Sequence, residues 1–161
     1  MPTTYEPIAT TTLTNAQTSV SFTSISSTYT DIVIVLNVRD ATNGYLLVRY
    51  NNNSNSNYSR TVMYGDGSNP QTFRQTSQTS HFIATGGSNN ENQLININNY
   101  SNSTTYKTTI FRDNTVNSSV AIQVGLYSST SSITQIDFIS PSGTATIASG
   151  STFTLYGIKA A

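Results

Sequence analysis

Apolar and polar residues alternate along much of the chain, and this period of two predicts β-strands. The clearest case is residues 120–127, where Val120, Ile122, Val124 and Leu126 are separated by Ala, Gln and Gly. Successive side chains of a strand point to opposite faces, so these four are predicted to face the core. On this interpretation Val124→Asp buries an unpaired carboxylate and prevents folding, because that penalty approaches the whole stability of a domain.

Other segments carry weaker forms of the pattern. Val20 and Phe22 alternate with hydroxyl residues, which predicts a half-buried strand, whereas the β-branched run at residues 32–38 predicts a strand covered on both faces. The pair Asn43-Gly44 follows that run and predicts a tight hairpin, because Asn-Gly readily adopts the positive φ of such turns. Further strands are predicted at residues 45–50, 59–64, 80–84, 93–99, 106–112, 133–139 and 152–159.

The spacing of these segments predicts the fold class. Gly-rich and Asn-rich stretches separate them, residues 51–57 are predicted to form a polar loop, and no segment combines helical spacing with good helix formers. Many short strands at nearly regular intervals are typical of a sandwich or barrel. We therefore predict an all-β, single-domain antiparallel β-sandwich or jelly roll.

The first residues of the chain lack sustained alternation and contain Pro2 and Pro7. Residues 1–17 are predicted to form an extended N-terminal arm and residues 18–161 the β-sandwich domain. Tyr5, Ile8 and Leu13 are the apolar side chains that would anchor the arm on a neighbouring subunit, since a free tail gains nothing from being ordered. The alternative is that the arm packs as a first strand on its own subunit.

Composition narrows the choice of partners. Only 9% of the 161 residues are charged, and 7 basic residues balance 7 acidic ones. Without a net electrostatic field, neither nucleic acid nor an acidic membrane is an expected partner.

The chain has no Cys, which excludes disulfides and thiolate metal sites. Its start has neither a basic region nor an apolar stretch, so no signal peptide is predicted, and its longest apolar run is too short to span a bilayer.

Residues that carry chemistry are few. The one histidine, His81, is predicted to be a strand residue satisfied by hydroxyl neighbours rather than a catalytic base, and zinc usually needs several His or Cys ligands. Asp66 and Asp113 are predicted to lie in turns, where Asp bonds its own backbone. The carboxylates show no pairing of the kind a glycosidase requires: Glu6, Asp31, Asp40, Asp66, Glu91, Asp113 and Asp137. No catalytic, metal-binding or cofactor-binding residue is predicted.

Ligand contacts remain a second possibility for the aromatic residues. Tyr58, Tyr64 and Tyr100 adjoin Asn-rich or polar loops and are candidate glycan contacts. Tyrosine is also a good strand residue that buries its ring, so burial is the alternative for each of them. The arginines form no cluster along the chain and are predicted to be strand-surface residues or inter-subunit ion-pair partners: Arg39, Arg49, Arg60, Arg74 and Arg112.

Five segments resemble a family of small structural proteins of tailed bacteriophages, especially phages of marine cyanobacteria. They are residues 5–13 (YEPIATTTL), 29–32 (YTDI), 99–102 (NYSN), 125–130 (GLYSST) and 150–161 (GSTFTLYGIKAA). The resemblance extends over nearly the whole chain. It implies a virion setting, with assembly in the host cytoplasm, and brings no catalytic residues with it.

Three functions follow from the composition and the resemblance together. The leading one is a non-enzymatic capsid decoration or cement protein that forms a homo-oligomer, with a trimer implied by the resemblance, and docks on the major capsid protein or another virion protein. The alternative is a tail-fibre or appendage tip domain that binds a host surface glycan. A glycan-degrading enzyme is a third class, disfavoured because no carboxylates are paired.

Overall fold

The computed structural model describes residues 4–39, 45–84, 91–115, 119–141, 143 and 147–159, which form twelve β-strands and no helix. The strands are β1 Tyr5–Thr12, β2 Ser19–Phe22, β3 Asp31–Val38, β4 Tyr45–Tyr50, β5 Tyr58–Gly65, β6 Pro70–Gln78, β7 His81–Ala84, β8 Glu91–Asn98, β9 Lys107–Thr115, β10 Ser119–Tyr127, β11 Ile136–Ile139 and β12 Thr152–Ile158. The predicted all-β fold is confirmed.

The strands form two antiparallel sheets of unequal width. The larger sheet has eight strands in the order β1-β12-β3-β8-β9-β10-β5-β6, and the smaller has four in the order β2-β11-β4-β7. A four-stranded sheet is too narrow to cover the whole inner face of an eight-stranded one. The side chains near β5 and β6 are therefore less covered than those at the centre.

One hydrophobic core lies between the sheets. Ile34 and Phe111 of the large sheet and Val48 of the small sheet are fully buried in it. Across the two layers, the rings of Phe138 in β11 and Phe153 in β12 lie 5.1 Å apart between centroids. Such packing of inward-facing side chains identifies the fold as a β-sandwich of a single domain.

The hairpin predicted at Asn43-Gly44 is not formed. The turn itself lies outside the described residues, but the strands on either side of it belong to different sheets: β3 pairs with β12 and β8, whereas β4 pairs with β11 and β7. β3 and β4 therefore lie in different layers of the sandwich. An Asn-Gly pair specifies a local backbone bend, but the partner of each strand depends on contacts distant in sequence.

The predicted N-terminal arm has a different place from the one expected. Tyr5 to Thr12 form β1, an edge strand that pairs with β12 of the same chain, with a bulge between Pro7 and Ala9. Leu13 is buried in the core and Ile8 packs against it, whereas the Tyr5 side chain is exposed. Two of the three anchor residues thus contact their own subunit. This is the alternative in which the arm is the first strand of the sandwich.

The Asn-rich loop at residues 51–57 is confirmed as a loop, and Asn51 ties it to the segment that precedes β11. Asn51 has φ 53°, its side-chain Nδ2 donates to the carbonyl of Ser132 at 2.8 Å, and its Oδ1 accepts from the backbone N–H of Thr134 at 2.8 Å and of Gln135 at 3.2 Å. Asn tolerates this left-handed conformation better than other non-glycine residues. The Asn51 side chain therefore favours the bend of the backbone at this position and also attaches the loop to residues 132–135.

Replacing Asn51 with alanine is expected to lower the free energy of unfolding by about 2 kcal/mol, because it removes these hydrogen bonds and keeps the strained φ. Asn51→Gly relieves the strain but not the lost bonds, so it should fall between wild type and Asn51→Ala. Urea unfolding measures all three. Asn55→Ala, at an exposed position of the same loop, is the matched control, and an equal loss there would contradict the assignment.

Candidate functional site

His81 lies in an aromatic cluster rather than among hydroxyl groups. Its ring is within 5.1 to 5.7 Å, between centroids, of Tyr50, Tyr58 and Phe111. Neither ring nitrogen has a hydrogen-bond partner among the described residues. Burial, helped by the positive charge of Arg60, lowers the pKa of His81 to about 3. The histidine is thus a neutral core residue, and the prediction of hydroxyl neighbours is wrong.

Two of the carboxylates are held by partners of their own. Glu6 forms an ion pair with Lys159 at 2.9 Å, and buried Asp137 accepts hydrogen bonds from Ser21 Oγ at 2.7 Å and Gln135 Nε2 at 2.8 Å. In the part of the chain that the structure describes, no three His, Asp or Glu residues are grouped as metal ligands would be. Asp40 lies outside the described residues.

The two predicted Asp turns have opposite outcomes. Asp66 accepts hydrogen bonds from the backbone N–H groups of Asn69 and Ser68, which lower its pKa, so its turn is confirmed. Asp113 lies within β9 and is buried on the inner side of the large sheet. The turn predicted at Asp113 is wrong, because a neighbouring amide and guanidinium stabilise its carboxylate within a strand.

Of the three candidate glycan-contact tyrosines, only one reaches a surface cleft. Tyr58 and Tyr100 are buried in the core: the Tyr58 ring stacks on that of Tyr127 at 4.8 Å, and the Tyr100 hydroxyl donates to the carbonyl of Ser26. Their assignment as glycan contacts is corrected by this burial. Tyr64 is half-buried and lines the cleft described next.

The cleft lies where the inner face of β5, β6 and β10 meets β7, the edge strand of the small sheet. Its volume is about 360 Å³. Aromatic residues form much of its wall, and two of them leave a considerable part of their rings accessible, Phe73 at 40% and Tyr45 at 38%. The remaining lining residues are Arg60, Val62, Tyr64, Phe82, Asp113, Ser119, Ala121 and Gln123.

Arg60 organises the polar side of the cleft. Its guanidinium carbon lies 4.6 Å from the ring centroid of Phe82 and 5.5 Å from that of Phe73. Its Nη1 donates to Gln123 Oε1 at 2.8 Å, its Nε donates to Gln75 Oε1 at 2.8 Å, and Gln123 Nε2 in turn donates to Asp113. The side chain is therefore held in one position by hydrogen bonds and aromatic faces.

Burial lowers the pKa of Arg60, and the nearby carboxylate of Asp113 partly offsets that effect. The guanidinium stays charged in any case. One positive and one negative side chain thus balance within the cleft.

The opposite face of the same strands carries a second surface feature. Met63, Val120, Ile122, Val124 and Leu126 point away from the core and are between 38% and 66% exposed. Val120 to Leu126 alternate along β10, and Met63 of β5 is directly opposite Ile122. We call these five residues the outer patch.

The outer patch reverses an expectation from the sequence. The four alternating residues of β10 were predicted to face the core, but the residues between them do so: Gln123, Gly125 and Tyr127. Contacts distant in sequence decide this face, because Gly125 leaves space for the His81 ring and Gln123 joins the Arg60 network. Val124 is half-exposed, so the expectation that Val124→Asp prevents folding is wrong.

Sequence reasoning missed β6 and therefore one wall of the cleft. The inward residues of β6 are Gln71, Phe73 and Gln75, which are opposite Tyr64, Val62 and Arg60 of β5. With two glutamines on the inner face, the alternation that identifies a strand is lost. Phe73 is an isolated aromatic residue in a polar segment, and this was the one available signal.

No family model and no curated protein matches this chain. Within the described residues, no helix is long and apolar enough to cross a membrane.

Proposed function

We propose that this chain is a non-enzymatic structural protein of a tailed-bacteriophage particle, which decorates the capsid as a homo-oligomer and associates through the outer patch. The virion setting is supported by the resemblance of five segments to phage structural proteins. The observation that carries the self-association is the exposed outer patch. A face of Met, Val, Ile and Leu of this kind is typical of a protein–protein interface.

A second copy of the same chain fits the outer patch better than a strongly charged partner. The chain has a formal net charge of 0, so copies do not repel one another over long distances. The patch itself contains no charged side chain. Arg112 of β9, directly opposite Ile122, and Arg74 of β6, which lines the same surface depression as Val124 and Leu126, lie beside it. Its strands, β10 and β5, are the sixth and seventh of the eight strands of the large sheet.

Replacing Val124 with aspartate is expected to dissociate the oligomer without unfolding the subunit. The side chain is 48% exposed in the single chain, so an isolated subunit keeps its carboxylate hydrated, whereas an assembled one would bury it at a cost of several kcal/mol. Sedimentation velocity should give an oligomer for wild type and a monomer for Val124→Asp, and matching circular dichroism spectra should show that the variant is folded. Ser131→Asp, which adds the same charge at an exposed loop position, should remain oligomeric.

Two outcomes would contradict this prediction. A monomeric wild type at micromolar concentration would exclude self-association through the patch. An oligomeric Val124→Asp with wild-type stability would place the interface elsewhere.

The virion role has a separate test. Cryo-electron microscopy of the phage particle should show many copies of this protein on the head, arranged on symmetry axes of the shell. Density confined to the tail would favour the alternative, an appendage tip domain. Absence of the protein from purified particles would overturn both.

A further inference from the structure

From the cleft between β5, β6, β10 and β7, we infer that this protein has a binding site for a neutral saccharide, formed by Tyr45, Phe73 and Tyr64 around the Arg60 network. This site goes beyond the proposed assembly role and lies on the opposite face of the sheet from the outer patch.

The apolar wall supplies the first element of sugar recognition. Tyr45 packs against Phe82 at 5.6 Å between centroids, and Tyr64 meets Phe73 edge-to-face at 6.2 Å. Phe73 and Tyr45 nevertheless stay well exposed. Accessible aromatic faces in a concave site provide flat surfaces on which the C–H face of a sugar ring stacks.

The polar wall supplies the second element. The guanidinium of Arg60 is fixed by Gln123 and Gln75, and its Nη2 takes no part in those bonds. The Tyr64 hydroxyl donates to Gln71 Oε1 at 2.6 Å and can still accept a hydrogen bond. Planar, rigidly held groups of this kind match the vicinal hydroxyls of a sugar, which both donate and accept.

Charge selects among ligands that carry hydroxyl groups. Arg60 is balanced within the cleft by Asp113, to which it connects through Gln123. An acidic saccharide would gain attraction from Arg60 but meet repulsion from Asp113, whereas a neutral one avoids both. The balance therefore favours a neutral saccharide.

The size of the cleft limits how much of a glycan it accepts. Its volume of about 360 Å³ is at the lower end of the range of small-molecule sites, roughly 300–1,000 Å³. A site of this size holds one or two sugar rings, such as a terminal unit or a short segment of a longer glycan.

Saturation-transfer NMR of the intact protein tests the site with neutral oligosaccharides of glucose, galactose and mannose, and with polygalacturonate as the acidic probe. We expect binding of at least one neutral oligosaccharide and none of polygalacturonate. Phe73→Ala and Tyr45→Ala should each weaken that binding about tenfold, the effect of losing one stacked aromatic ring. Tyr106→Ala removes a tyrosine that is 55% exposed outside the cleft and should leave binding unchanged.

Folding and assembly are controlled within the same experiment. Phe73 and Tyr45 are only partly buried, so their alanine variants should stay folded, and circular dichroism of each variant checks this. Val124→Asp should bind the saccharide as wild type does, so failure of the assembly proposal and failure of this one are distinguishable. Absence of binding by all three neutral series, binding of polygalacturonate alone, or equal weakening by Tyr106→Ala would each overturn the inference.

Discussion

Replacing Gly125 with valine is expected to remove most of the stability of the protein. A Cβ at this position would lie 2.5 Å from His81 Cε1 and 2.8 Å from His81 Nδ1, and 3.0 Å from a ring carbon of Phe111. The His81 ring is itself packed among Tyr50, Tyr58 and Phe111 and cannot move aside without displacing further core residues. Overpacking of this kind costs about 1–3 kcal/mol for small additions and more for larger ones.

The loss of unfolding free energy should therefore grow with the size of the side chain added at position 125. Gly125→Ala is expected to lower the free energy of unfolding by about 2 kcal/mol, and Gly125→Val to remove most of a total stability of about 5–15 kcal/mol. Urea unfolding followed by circular dichroism measures both. Gly65→Val is the matched control, because Gly65 also lies in a strand and a Cβ there meets nothing within 4 Å.

A double variant shows whether the clash with His81 is the cause. His81→Ala creates space beside Gly125, so Gly125→Val should cost less in that background than in wild type. If the losses of unfolding free energy in the two single variants simply add, the clash with His81 does not cause the destabilisation by valine. That outcome would contradict the explanation.

Acidification from pH 7 to pH 5 is expected to destabilise the protein through His81. In the unfolded chain this imidazole takes up a proton near pH 6.5, whereas burial keeps its pKa in the folded protein at about 3. The unfolded state then binds more protons between these two values. Stability is therefore fully present above pH 6.5 and falls as the pH decreases towards 3, by up to about 1.4 kcal/mol per pH unit.

The measurement is the free energy of unfolding by urea at pH 7 and pH 5. Wild type should lose about 2 kcal/mol over this interval. The chain has one histidine, so no other side chain with an ordinary pKa titrates there. His81→Leu and His81→Gln cannot titrate, and both should show equal stability at the two pH values whatever their absolute stability. A loss of 2 kcal/mol in both variants would show that His81 is not responsible.

Much of the fold could be predicted from local pattern. Residues 20–22, 32–38, 45–50 and 120–127 form strands close to their predicted bounds, since alternating or β-branched apolar residues rarely fit another structure. β6 escaped prediction because its inner face carries Gln71 and Gln75. A strand whose inward residues bond to a cleft network does not show the apolar alternation of a core strand.

Little of the candidate site could be predicted in the same way. Arg60, Phe73 and Asp113 come from three strands, and they meet only because β6, β5, β10 and β9 are neighbours in the large sheet. Nothing in their spacing along the chain indicates this. Tyr64 was identified from its type and its polar surroundings, but the same reasoning also selected Tyr58 and Tyr100, which are buried.

The sequence by itself determined that this protein is all-β, where most of its strands lie, and that β10 has one apolar face and one mixed face. Only the tertiary structure decided which face of β10 meets the core and that β3 and β4 lie in different sheets. The physical reason is that a period of two distinguishes the faces of a strand without assigning either one to the interior. That assignment depends on long-range contacts, here the His81 ring against Gly125 and the Arg60 network around Gln123.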